Sequence, residues 1–188
     1  MIDRDRLKQQ IKDAKARQAA GNTAFIKEGG ASLRVVPFYN KETKSYEVGR
    51  EFTQWRPKGE GRPIASRENW NMPDVFDAVK ASGGDLPWRK STAYLVWGVD
   101  VAAEQKELRV WQIPTSVFEA MAEVFLDEEY DGVEDAQTGR PFKIKKTGSG
   151  LSTKYAVMLG EKKVDVSRLI KGKLEDPIKK IPMPSIAE

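Results

Sequence analysis

Apolar and polar residues alternate in short bursts along most of this chain, and such bursts predict strands rather than long helices. Ser32 to Phe38 sets Leu33 and Val35 against Arg34, Val36 and Phe38. Asn40 to Ser45 reads as a turn and Tyr46 to Trp55 as the returning strand, a first hairpin. Ser91 to Val101 is the clearest strand, with Leu95, Trp97 and Val99 on one face and Tyr94 and Val96 on the other. A turn at Glu104-Gln105-Lys106 leads into a strand over Glu107 to Ile113. Phe142 to Lys146 and Thr153 to Leu159, joined by a Gly-Ser turn, form the last hairpin.

Helical spacing occurs in three places. Asp3 to Ala20 carries a narrow stripe of Leu7, Ile11 and Ala14 and stops at Gly21-Asn22. A short helix is expected from Pro73 to Ser82, with Val75, Phe76 and Val79 apolar. Ser116 to Tyr130 predicts a longer one, with a capping box at Ser116 and Glu119 and an inner face of Val117, Met121, Val124 and Phe125. Arg56 to Trp88 is rich in Pro, Gly, Arg and Trp and reads as an insertion; loops of that length are usually functional or disordered. Val164 to Ile170 predicts a short segment, and Asp176 to Glu188, with three prolines, an extended one. Strand pair, insertion, strand pair, helix, strand pair fits a mainly β fold: a five-stranded OB-fold barrel with an inserted loop/helix subdomain and an N-terminal helix. The expected divisions are 1–24, 25–160 with the insertion at 56–88, and 161–188.

Composition narrows the chemistry. The 188 residues are 39% hydrophobic and 32% charged and include no cysteine and no histidine. Disulfides, thiol nucleophiles and Cys/His zinc sites are thereby excluded, and so is the commonest general base. A catalytic role is not expected, nor a cofactor. No apolar run approaches the roughly 18 residues of a membrane helix, and the charged first 17 residues do not read as a secretory signal. Net charge is +4, but its distribution says more. Ala136 to Gly160 holds no acid yet carries Arg140, Lys143, Lys145, Lys146 and Lys154, whereas Val110 to Gly139 holds eight acids and no Lys or Arg. Glu119, Glu123 and Asp127 share one helix face, a solvated face rather than a metal site because no second helix offers partners.

Three constellations suit an anionic, base-bearing polymer. In the last hairpin Phe142 and Ile144 point inward while Lys143 and Lys145 point outward, and Lys146 and Lys154 flank the Gly148-Ser149-Gly150 turn. The string TGSGLSTK lacks the residue order of a phosphate-binding P-loop and lies between strands. Arg89 and Lys90 open the Ser91 strand, where Trp97 is expected in the core and Tyr94 on the stacking side. The insertion interleaves Trp55, Arg56, Lys58, Arg62, Arg67 and Trp70; its tryptophans either pin the loop or stack bases.

These residues also resemble a known family, that of the T-even phage helix-destabilising protein and its shorter phage relatives. The resemblance rests on GGASLRVVPF, the RKST string leading to Tyr94, KELRVWQIP before a helix, and GRPFKIKKTGSGLSTKY, spread over residues 25–159. It implies an OB-fold that binds single-stranded DNA with little sequence preference, cooperatively through a basic N-terminal segment, here Arg4, Arg6, Lys8, Lys12, Lys15 and Arg17. The T-even protein holds a structural zinc in its insertion. The absence of Cys and His here implies a zinc-free variant, anchored instead by the helix near Val75 to Val79. An acidic C-terminal tail is also common in the family. Glu161 to Glu188 carries seven basic residues and five acidic ones, so partner recruitment differs or that tail lies beyond this sequence.

The expectation is a non-catalytic coat for single-stranded DNA in phage replication, recombination and repair, in the cytoplasm of the bacterial host. Possible partners are phage replication proteins and further copies of the chain; no membrane is expected. Arg34, Arg89, Lys90, Lys143, Lys145, Lys146 and Lys154 are the expected phosphate contacts, and Trp55, Trp70, Trp88, Tyr94 and Tyr155 the stacking candidates. The alternatives are an adaptor OB domain that binds a protein, an RNA-binding OB protein and, least favoured, a metal-dependent nuclease.

Overall fold

A computed structural model describes residues 23–59 and 63–184. The helix expected over residues 3–20, its cations, and Arg62 lie outside the described residues. The chain runs β1 (Thr23–Phe25), β2 (Ala31–Val36), β3 (Phe38–Asn40), β4 (Ser45–Glu47), β5 (Arg50–Pro57), β6 (Ile64–Ala65), α1 (Val75–Ala81), β7 (Trp88–Asp100), β8 (Leu108–Pro114), α2 (Thr115–Leu126), β9 (Phe142–Thr147) and β10 (Lys154–Leu159). The fold is mainly β. Eight strands form one mixed sheet in the order β1-β8-β7-β2-β9-β10, with β5 pairing on β7 and β6 on β5. Among the described residues no helix is long and apolar enough to cross a membrane.

Strand β7 organises the sheet. Its thirteen residues exceed the length of any one partner. One edge pairs first with β5, from Pro57↔Trp88 to Arg50↔Leu95, and then with β2, from Val36↔Trp97 to Leu33↔Asp100. Its other edge pairs with β8, whose far side takes β1 in parallel. Because one edge of β7 serves two strands, the sheet branches there. Among the described residues no ladder joins β10 back to the far end, so closure of the expected five-stranded barrel is not found. The expected first hairpin is also revised: only its tip pairs, β3 with β4, while β2 and β5 both turn to β7.

Alternation along β7 places side chains as the pattern predicts. Tyr94 and Val96 join a core with Leu33, Val35, Ile113, Phe142 and Ile144, closed by Val117 and Met121 of α2. Leu95, Trp97 and Val99 join a second core on the opposite face with Val36, Phe38, Phe52, Val110, Val166 and Ile178. The last two belong to residues 164–181, which form a strap across this face. Two 3-10 turns, Ser167–Leu169 and Pro177–Lys180, shape it. The Trp97 indole donates to Glu175 O at 2.8 Å and the Tyr39 N–H to Leu174 O at 3.0 Å. Fully burying side chains of this size contributes roughly 1.5–3 kcal/mol each, which holds the strap down where an extended tail was expected.

Helix α2 begins one residue earlier than expected, with Pro114 at its N-cap and no side-chain cap. The predicted Ser116–Glu119 box therefore does not form; Thr115 Oγ1 instead donates to Thr92 O at 3.1 Å. Where β2 starts to pair with β9, Gly30 has φ +109° and a Cβ there would overlap the Ile144 carbonyl oxygen, so only glycine allows the approach.

Arg34 is wholly buried, which removes it from the expected phosphate contacts. Its guanidinium donates to Val164 O at 3.1 Å, Val133 O at 3.0 Å, Val35 O at 3.3 Å and Arg140 O at 3.4 Å, and also to Asp135 O. Burial pushes its pKa down, while the charges of Asp135, Glu134 and Asp165 oppose the shift. Arg34→Met keeps the stem but strands several of these carbonyls, each at a cost of roughly 1–3 kcal/mol. Urea unfolding is expected to show a loss of about 3 kcal/mol or more. A variant as stable as the parent would contradict the clamp.

Candidate nucleic-acid interface

The insertion is fixed to the sheet by polar and aromatic contacts. Asn69 bonds the β5 backbone in both directions, accepting from Thr53 N–H at 2.8 Å and donating to Thr53 O at 2.7 Å. Asp74 caps α1 by accepting from Phe76 N–H at 2.9 Å. It also accepts from the Ser66 hydroxyl at 2.6 Å and Arg67 N–H at 2.9 Å. Burial alone raises the Asp74 pKa, but the bonds from Ser66 and Arg67 outweigh it and hold the carboxyl below its ordinary value. Phe76 packs between Trp55 and Trp88, with ring centroids at 5.2 and 5.6 Å. Of the three apolar residues expected on this helix, Val75 and Val79 are exposed and Phe76 makes the anchoring contacts.

These contacts decide several of the predicted site residues. Trp55 is 1% exposed and pins the insertion; it is not a stacking platform. Lys90 bonds Asp77 at 2.8 Å and also Glu68. Burial lowers its pKa, but these two carboxylates raise it overall, so its charge is already matched inside the fold. Tyr94 stacks on Phe118 of α2, centroids 3.9 Å apart and planes 10° apart, which closes it to a base. Trp88 and Trp70 are half-buried, the first against Phe76 and the second against the second core. Lys58 is exposed and 3.5 Å from Asp85, and Arg89 is exposed.

The β9–β10 hairpin divides its cations between two faces. Phe142 and Ile144 are buried while Lys143 and Lys145 are exposed, as the alternation predicts. Register puts Lys143, Lys145 and Lys154 on that outer face, with Met158 and Ala156. Lys146 stands opposite Tyr155 on the other face, at one wall of a groove of about 450 Å³. The groove collects Phe25 from β1, Gln54 and Arg56 from β5, Gln112 from β8, and Lys146 and Tyr155 from the hairpin; Pro63, Ala65 and Ile181 complete its rim. No acid lines it. Arg56 also stands directly opposite Arg89 in the β5–β7 ladder.

Three predicted residues, Arg56, Lys146 and Tyr155, thus meet in one groove. Sequence reasoning missed Phe25, which is 56% exposed on a strand of only three residues. It also missed Gln54 and Gln112, joined by a 2.7 Å bond. The surviving signal for Phe25 was an aromatic in a short stretch between two glycine breaks. Among the described residues no group of three or more carboxylates is placed to hold a metal. The sequence matches no protein-family model and no curated protein.

The depressed Asp74 pKa makes the insertion's anchor acid-sensitive. Its stabilisation is complete above the ordinary value of 3.8 and is lost as pH falls through the lower folded value. Asp74→Asn is therefore expected to unfold at lower urea than the parent at pH 6, with the gap shrinking at pH 3. A gap that ignores pH would show that the carboxylate charge is irrelevant.

Proposed function

We propose that this protein is a non-catalytic single-stranded-DNA-binding protein and that the groove between β1, β5, β8 and the β9–β10 hairpin receives the strand. One observation carries the reading: the groove joins the exposed Phe25 and Arg56 to the half-buried Tyr155 and Lys146, with no acid among its described lining residues. Single strands are held by this pairing, because bases stack on rings while cations follow the phosphates, and neither contact depends on sequence. Tyr155 and Phe25 are the stacking rings, and Lys146 and Arg56 the groove cations. Lys143, Lys145 and Lys154 extend the positive potential over the hairpin's other face.

On this reading the open sheet, curled on the first core with α2 between β8 and β9, is an OB-like arrangement carrying an insertion. The sequence resemblance supports a role in coating and protecting single strands during phage replication, recombination and repair in the host cytoplasm. It also supports self-association through residues 1–24.

Oligo-dT titration followed by tryptophan fluorescence tests the groove. Tyr155→Ala is expected to weaken binding by about 1–3 kcal/mol, the worth of one stacked base. Lys146→Ala is expected to make the slope of log K against log salt shallower by about 0.7. Parental affinity and slope in both variants, with the fold intact, would exclude the groove.

A further inference from the structure

A larger groove, of about 830 Å³, lies between the 164–181 strap and the start of β8. Its cations include Lys106, Arg168, Lys171 and Lys173, and its three acids are Glu107, Glu175 and Asp176. Each acid already has a cation. Glu107 pairs with Arg109. Glu175 lies 3.1 Å from Lys179 and 3.3 Å from Lys41, and those two lysines hold its carboxyl below the usual range. Asp176 is 3.6 Å from Arg50 and accepts from Ile178 N–H at 3.0 Å. Lys106, Arg168 and Lys171 take part in none of these pairs, so the groove keeps an excess of positive charge.

An aromatic surface adjoins it. Tyr39 on β3 and Tyr46 on β4 meet edge to face with centroids 5.4 Å apart. Tyr46 is 67% exposed. The Lys173 ammonium sits 3.2 Å from the Tyr39 ring centroid and 5.8 Å from that of Tyr46. The ammonium thus occupies one face of Tyr39, and Tyr46 is the ring of the pair that presents surface to a partner. The strap also links the two grooves, because Ile181 lines the smaller one and Lys179 and Lys180 the larger.

We infer that the larger groove and the Tyr39–Tyr46 surface form a second contact for the same single strand. The inference rests on the single-strand reading of the smaller groove. A strand leaving that groove passes Ile181, lays its phosphates along Lys171 and Lys106, and stacks a base on Tyr46. An acidic peptide would use the cations alone and has no need of the exposed ring, which is why nucleic acid is the favoured occupant. A second contact beyond the first means that affinity depends on oligonucleotide length, as for two linked sites.

The test uses the full chain with Tyr46→Ala combined with Lys171→Ala. Both residues are exposed, and circular dichroism checks that the fold persists. Oligo-dT of about 5 nucleotides, within the range one OB-fold covers, is expected to bind as tightly as to the parent. Oligo-dT of about 20 nucleotides is expected to bind about 10-fold more weakly or worse, the equivalent of losing one stacked base, with a salt slope shallower by about 0.7. Equal effects on both lengths, or none, would overturn the second contact. So would weakened binding of a poly-glutamate peptide with oligo-dT unaffected. Failure of the parent to bind either length would instead refute the single-strand reading itself.

Discussion

A guanidinium buried away from water has to find acceptors for its N–H groups, and most of this architecture satisfies that demand for Arg34. Five backbone carbonyls answer it: one on β2 itself, three between Val133 and Arg140, and Val164 at the start of the strap. Segments about 100 and 130 positions away in sequence are thereby tied to β2. Gly139 shows how tight the arrangement is, since a Cβ there would overlap the Val133 and Asp135 carbonyl oxygens and Arg34 Nη2. The Gly139 carbonyl in turn accepts from Val164 N–H at 2.9 Å. Sheet, loop and strap therefore hold their positions together.

With the strap in place, both faces of the sheet's centre are covered, one by α2 and the other by residues 164–181. One groove lies where β1, β5 and β8 meet the hairpin and the other beside the strap. The acids of the larger groove are engaged in internal ion pairs, and the smaller groove has none among its described lining residues. Surface ion pairs of this kind contribute little to stability; their consequence here is for the electrostatic potential the grooves present.

Local alternation was enough to read β7, β9 and β10. Phe142, Ile144 and Trp97 went inward and Lys143 and Lys145 outward because a strand's period of two requires it. What failed was non-local. Arg34 looked solvated because its covering strap lies more than a hundred residues downstream. Lys90 looked available because Glu68 and Asp77, 22 and 13 positions away, meet it only once the insertion has folded. Tyr94 occupied the predicted face, but that face is roofed by Phe118. Phe25 escaped notice because β1 is short and pairs in parallel with β8, a partner about 87 residues distant that no local pattern reveals. The smaller groove was thus legible on its hairpin wall, through Lys146 and Tyr155, and illegible on the β1 and β8 walls.

The central claim is that a single strand lies in the smaller groove with bases on Tyr155 and Phe25. Photocrosslinking with an oligonucleotide carrying 5-iododeoxyuridine, followed by peptide mapping, examines it most directly, because the adduct forms at the ring the base touches. Adducts on the peptides containing Tyr155 and Phe25 are the predicted result. Adducts confined to α2 or to the insertion helix, with those two peptides unmodified, would contradict it.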